Sequence, residues 1–183
     1  MRVRLTPTPT LTPTLTPTLT PTLTPTLTPA LTPTLTPTLT LQVGEALTAI
    51  HKLGVVHRDV KPGNVCFADG ARESVKLVDF GFATFFRVGA EGGTTCRKLK
   101  TLCGSPAYMA PELVRGGQYM GPPVDVWALG CVAYELLHNR PAFRAESMQM
   151  LNLRILKGSH EKFASETSNK VRVRLRVGRR SSS

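Results

Sequence analysis

No apolar run in this chain approaches the ~18–20 residues that cross a bilayer, and the N-terminus lacks the apolar core of a secretory signal. An intracellular protein is expected, cytoplasmic or nuclear, with no membrane partner. Cysteine is sparse and unpatterned: Cys66, Cys96, Cys103 and Cys131 form no C-x-x-C pair and meet no histidine at zinc spacing. Free thiols in a reducing compartment are the expectation, with a Cys96–Cys103 disulfide as the alternative. Acid is also short, 12 Asp and Glu against 23 Lys and Arg, but the imbalance is local. Residues 1–41 hold Arg2, Arg4 and no acid, residues 42–157 hold 14 bases against 10 acids, and residues 158–183 hold 7 against 2. The middle is only mildly basic and has no basic groove interleaved with aromatics. Nucleic acid is therefore not the expected partner, and an anionic-surface role would fall to the tail.

What is present divides into three segments. Residues 1–41 are a Thr/Pro/Leu low-complexity repeat, "LTPT", with proline at every fourth position from Pro9 to Pro37. Each proline removes a helical hydrogen bond and is excluded from a central strand, so an extended, disordered segment is expected. Residues 42–157 have the varied, apolar-rich composition of a folded domain. Residues 158–183 form a basic tail, expected to be disordered; its "VRVRLRV", 171–177, alternates like an edge strand or an anionic-surface binder.

Within the middle segment, "VGEALTAIHKLG", 43–54, places Val43, Ala46, Leu47, Ile50 and Leu53 on one helical face and stops at Gly54. "VCF", 65–67, and "VKLV", 75–78, read as short strands around an "ADG" turn. "PPVDVWALGCVAYELL", 122–137, is apolar nearly all round, which marks a buried helix.

Chemistry concentrates in two loops. A phosphoryl-transfer site needs a carboxylate near the attacking hydroxyl, a cation on the moving phosphate and oxygen ligands for magnesium. "VHRDVKPGN", 56–64, supplies Asp59, Lys61 and the Asn64 amide. "VDFG", 78–81, adds Asp79 at a strand end, and Gly81 lets the chain turn there. Taken singly, Asp59 reads as a turn residue, Asn64 as a loop cap and Asp79 as a strand-end turn former. Those readings leave the combined spacing unexplained. Asp125, two residues after Pro123, reads equally as a helix cap.

Together these residues resemble the protein-kinase catalytic loop H-R-D-x-x-x-x-N and the D-F-G motif. "MAPE", 109–112, is similar to the A-P-E element, and "DVWALG", 125–130, to the buried helix that anchors the catalytic loop. "LKTLCGSPAYMAPEL", 99–113, resembles the calmodulin-dependent group, nearest its AMP-activated-kinase-like branch. The resemblance covers residues 41–157 and implies a mainly α (α+β) fold, a partial large lobe with short active-site strands. It implies a serine/threonine protein kinase using ATP and Mg2+ on protein substrates. Asp59 would then be the catalytic base and Lys61 the cation on the transferring phosphate and nucleotide. Ser105 would contact both, and Asn64 and Asp79 would hold the metal and nucleotide. Thr101 would take an activating phosphate from an upstream kinase, with Arg58 meeting it. His57 and Phe80 would stack as spine residues, Gly81 would serve the turn, Glu112 would pair with a later buried arginine, and Asp125 would receive catalytic-loop N–H groups.

No G-x-G-x-x-G loop precedes the catalytic loop, and no V-A-I-K lysine occurs. The expectation is therefore a kinase fragment, inactive alone, exposing apolar surface around strands 65–67 and 75–78. The alternative is a non-catalytic, pseudokinase-like interaction module.

Overall fold

The computed structural model describes residues 35–162, apart from Asp69, Arg72 and residues 89–94. The repeat up to residue 34 and the tail from residue 163, including the 171–177 alternation, lie outside the described residues. In chain order the elements are α1 Leu35–Lys52, β1 Val55–Val56, β2 Val65–Phe67, β3 Val75–Leu77, β4 Thr84–Phe85, β5 Arg87–Val88 and β6 Thr95–Cys96, then α2 Pro111–Arg115, α3 Gly121–His138 and α4 Met148–Lys157. Three antiparallel two-stranded pairs form, β1 with β4, β2 with β3 and β5 with β6. Helices dominate, as the mainly α (α+β) expectation required.

Helix α1 begins earlier than the repeat suggested, which corrects the expectation that residues 35–41 are extended. Pro37 lies in the first helical turn, where N–H groups have no intrahelical acceptor, so its missing N–H costs little. The next proline in phase would fall at 41, and leucine stands there instead. Leu39 is thereby free to enter the core, where it is 0% exposed. Leu39, Val43 and Leu47 follow each other at four-residue steps and pack with Ala128, Val132 and Leu136 of α3. Leu53, expected on that apolar face, is instead 75% exposed. The helix has ended at Lys52, and Gly54 (φ +79°) turns the chain with its N–H on the His51 carbonyl.

Helix α3 explains its all-round apolarity by being covered twice. One side faces α1; the other contributes Val124, Trp127, Cys131 and Tyr134 to a second cluster with Val56, Phe86, Tyr119, Phe143, Leu151 and Ile155. Trp127 stacks on Phe143 at 5.6 Å and 15°. Gly121 opens α3 where a Cβ would stand only 3.0 Å from Val56 Cβ and 3.2 Å from Phe86 Cβ, so β1 can lie directly on the helix start. Asn139 in the left-handed region ends α3, and the Ser147 hydroxyl, accepting the Met150 N–H, starts α4.

The expected apolar exposure around 65–67 and 75–78 is not found on the strands themselves: Val65, Cys66 and Phe67 are buried, and Val75 and Leu77 are half-buried. Among the exposed apolar side chains, Phe80, Phe82, Phe85 and Leu102 lie in the segments that follow the hairpin in sequence. All four cysteines are free, so the alternative of a Cys96–Cys103 disulfide is not realised. No helix among the described residues is long and apolar enough to cross a membrane.

The helical start of α1 has a measurable consequence. Leu39→Ala should cost about 2–5 kcal/mol in urea unfolding, the usual loss for a buried leucine, whereas Leu41→Ala, two residues on and 63% exposed, should change stability by less than ~0.5 kcal/mol. Equal effects of the two substitutions would remove Leu39 from the core.

Candidate active site

The loop 57–61 is fixed from beneath by Asp125, a fully buried carboxylate in the first turns of α3. Its Oδ2 accepts the His57 N–H at 2.9 Å and its Oδ1 accepts the Arg58 N–H at 2.7 Å. His51, at the end of α1, brings Nε2 to 2.7 Å from the same Oδ2. Asp125 is therefore a loop anchor and not a helix cap, since the residue before α3 is Met120. The anchoring matters because Arg58 stands at φ +69°, a conformation that costs a side-chain-bearing residue about 1–3 kcal/mol. His57 is buried and spends both ring nitrogens on the backbone. Nε2 donates to the Val78 carbonyl at 3.1 Å, and Nδ1 accepts the Asp59 N–H at 3.3 Å. Its ring meets Phe80 edge-on at 4.9 Å. A proton shuttle has no free nitrogen here; the two rings meet edge-on and not stacked, and Phe80 is exposed outside the core.

Asp59, 3% exposed, sits at the centre of four donors. Oδ1 accepts the Ser105 N–H at 2.9 Å and the Ser105 hydroxyl at 2.8 Å. Oδ2 accepts Lys61 Nζ at 2.7 Å and Asn64 Nδ2 at 3.1 Å. Lys61 Nζ also donates to Ser105 Oγ at 3.0 Å, closing a triangle of carboxylate, hydroxyl and ammonium. Burial pushes the Asp59 carboxyl up, but the hydrogen bonds of Lys61 and Ser105 and the lysine charge outweigh it and hold it below its usual 3.8.

The hairpin brings in the other loop. The 3-10 turn Pro62–Asn64 leads into β2, and Val65 pairs with Leu77 of β3. The Val78 N–H donates to the Asn64 carbonyl at 2.9 Å, so Asp79 emerges one residue beyond Asn64's partner. Asp79 is exposed at φ +59°, and its carboxylate accepts the Gly81 N–H at 3.1 Å. A Cβ at Gly81 would stand 3.1 Å from that carboxylate oxygen.

Across the site, the segment 99–109 is held by contacts that the sequence did not reveal. Gly104, at φ +100°, passes so close to the catalytic loop that a Cβ would lie 2.5 Å from the Arg58 carbonyl oxygen. The Tyr108 hydroxyl donates to Glu135 on α3 at 2.6 Å; burial first, then the Glu135 contact, pushes its pKa far up. Tyr119 pairs with Leu99 through both main-chain groups at 2.9 Å. Thr101 is exposed nearby. Arg58 donates from Nε to the Phe82 carbonyl at 2.7 Å and from an Nη to the Tyr119 hydroxyl at 3.3 Å. Glu112 makes no ion pair among the described residues, where the resemblance had implied a buried arginine. His51, Tyr108, Tyr119 and Glu135 carry no motif of their own; only His51, a polar residue in the last turn of an apolar helix, offered a hint.

Two tests follow from this geometry. The folded-state pKa of Asp59 lies below its unfolded value, so its contribution to stability is present above that value and is lost as pH falls through the folded one. Wild-type stability minus that of Asp59→Asn, from urea melts, should hold steady above about pH 4 and decline below it. A difference that is flat into stronger acid would contradict the lowered pKa. Gly104→Ala should cost about 1–3 kcal/mol and speed amide exchange across 103–106, through both the positive φ and the clash with Arg58. Unchanged exchange there would show that the segment does not touch the loop in solution.

Known proteins share this arrangement in sequence. An Aurora kinase of Eremothecium gossypii is 41% identical over 116 residues, covering 63% of this chain and 29% of that protein. SNF-related serine/threonine-protein kinases of Homo sapiens and Rattus norvegicus are each 45% identical over 103 residues, 56% of this chain and 12% and 13% of theirs. The chain thus spans less than a third of the length of each of these relatives. Residues 19–179 match the family model described as protein kinase domain, and with that match over most of its length the chain belongs to the protein kinase family.

Proposed function

We propose that this chain carries the phosphoryl-transfer face of a serine/threonine protein kinase, which moves the γ-phosphoryl group of ATP onto protein hydroxyls. The observation behind this reading is the Asp59–Ser105–Lys61 triangle, in which a hydroxyl lies 2.8 Å from a buried carboxylate and 3.0 Å from an ammonium. A substrate serine or threonine needs the same two contacts. A carboxylate must orient the hydroxyl and take its proton, and a cation must neutralise the group arriving on it. Asp59 already accepts four hydrogen bonds. The incoming hydroxyl therefore takes over the acceptor position on Oδ1 that the Ser105 hydroxyl holds at rest.

Asn64 and Asp79 would hold magnesium with its nucleotide. Both offer the hard oxygen donors this cation prefers. The Asn64 amide nitrogen is turned toward the Asp59 carbonyl and carboxylate, which leaves its oxygen for another partner. The Asp79 carboxylate is exposed and accepts only the Gly81 N–H among the described residues. Magnesium bound there would offset the charge of the phosphates. Protein substrates and an upstream activating kinase are the partners this reading implies. Thr101 is the position we assign to the activating phosphate, since it is exposed and its carbonyl is tied through Tyr119 to Arg58.

Positioning carries most of this reaction, and the sequence has no glycine-rich loop or V-A-I-K lysine to hold the nucleotide against Asp59. The 183-residue chain alone should transfer little labelled phosphate from ATP to a basic serine peptide. Joining the small lobe of an SNF-related kinase ahead of Leu35, so that α1 stays whole, should produce transfer that Asp59→Asn lowers by about 10²–10⁴-fold. A chimera as inert as its Asp59→Asn variant would favour the non-catalytic, pseudokinase-like module, and strong transfer by the chain alone would refute its dependence on a small lobe. In the chimera, treatment with an upstream kinase should label Thr101 and raise activity, and Thr101→Ala should abolish the rise.

A further inference from the structure

The segment 99–105 lies on the loop that carries Asp59 through contacts that do not use the Thr101 hydroxyl. Its far end is secured at Asp59 through Ser105. Its near end converges on one residue, Tyr119, in the turn between α2 and α3. Tyr119 exchanges both main-chain hydrogen bonds with Leu99 at 2.9 Å. Its hydroxyl donates to the Thr101 carbonyl at 2.8 Å and accepts from Arg58 at 3.3 Å. The same hydroxyl favours the thiolate of Cys103, while burial pushes that thiol's pKa up. The ring is buried with Val56, Phe86 and Leu99, so the phenol cannot swing away without opening the core. One oxygen thus joins the arginine beside the base to the backbone of the segment that carries Ser105.

We propose that Tyr119 is a positioning residue, whose hydroxyl clasps the 99–105 segment to Arg58 and holds Ser105 on Asp59 without any phosphate at Thr101. This rests on the reading of Asp59 and Ser105 as parts of a phosphoryl-transfer site, and it assigns that site a built-in ordering device. A phosphate at Thr101 would then strengthen a contact that already exists, because the charge it adds falls beside an arginine the clasp has placed. The segment's resting order is set by the phenol, and phosphorylation tunes it.

Tyr119→Phe tests the clasp, since it deletes the oxygen and keeps the buried ring. In the 183-residue chain, alkylation of each cysteine by iodoacetamide is followed site by site by mass spectrometry, with amide exchange over 101–105 and the urea midpoint in parallel. Cys103 should label roughly three- to tenfold faster in the variant, the effect of losing one or two net hydrogen bonds. The Tyr119 contact by itself favours the thiolate, so its loss alone would slow labelling, and a rise reports opening of the segment. The amides of 101–105 should exchange faster, while exposed Cys96 and buried Cys131 label as in the wild type and the urea midpoint falls only slightly, by no more than the loss of those hydrogen bonds accounts for. Unchanged labelling of Cys103 overturns the proposal. So does a parallel rise at Cys103 and Cys131, which would mark general loosening. No ATP enters the measurement, so a chimera without kinase activity and a failed clasp remain separate results.

Discussion

The candidate site depends on Asp125 holding the loop 57–61. The carboxylate is buried in α3 and meets two consecutive main-chain N–H groups and the His51 ring. Those contacts hold Arg58 in the left-handed region immediately before Asp59. Leaving the two N–H groups without an acceptor would impose an unsatisfied-donor penalty of about 1–3 kcal/mol each. The helix that supplies Asp125 is rigid because α1 and the Trp127–Phe143 cluster pack on opposite sides of it. A precise loop is thus inherited from a well-packed core.

From that anchor the site is built by close approach more than by abundance of contacts. Gly104 lets the 99–109 segment run against the Arg58 carbonyl, and Ser105 then reaches Asp59 with both its N–H and its hydroxyl. Lys61 neutralises the buried carboxylate from the solvent side. The β2–β3 hairpin supplies Asn64 and the approach to Asp79 through its register, in which Val65 faces Leu77. Three stretches thus build the site, and each is secured by a different device: the loop 57–61 by a buried anion, the 99–109 segment by a glycine, and the approach to Asp79 by a strand pairing.

Much of this was legible in the chain. Asp59, Lys61 and Asn64 stand at fixed offsets in one loop, and such local spacing survives any uncertainty about the rest of the fold. The hairpin strands and α3 were legible because short β-branched runs and an all-apolar helix have few places to go. The start of α1 is not legible in the repeat, because proline reads as a breaker in every phase while Pro37 falls in a first turn where it is tolerated. Leu53 differs in the opposite way: its helical phase fits the apolar face, but the helix stops before it.

The sequence by itself determined which candidate groups stand together, because the offsets among Asp59, Lys61 and Asn64 are set by covalent connection along a single loop. Only the tertiary structure decided how those groups are held. His51, Tyr119 and Glu135 act through contacts made across the fold, 74 residues from His51 to Asp125 and 61 from Arg58 to Tyr119. No local pattern encodes such a contact, since a histidine, a tyrosine or a glutamate at these positions is compatible with an ordinary helix or turn. Their roles exist only once α1, α3 and the 99–109 segment have packed, and the packing of the apolar faces is what brings them within hydrogen-bonding distance.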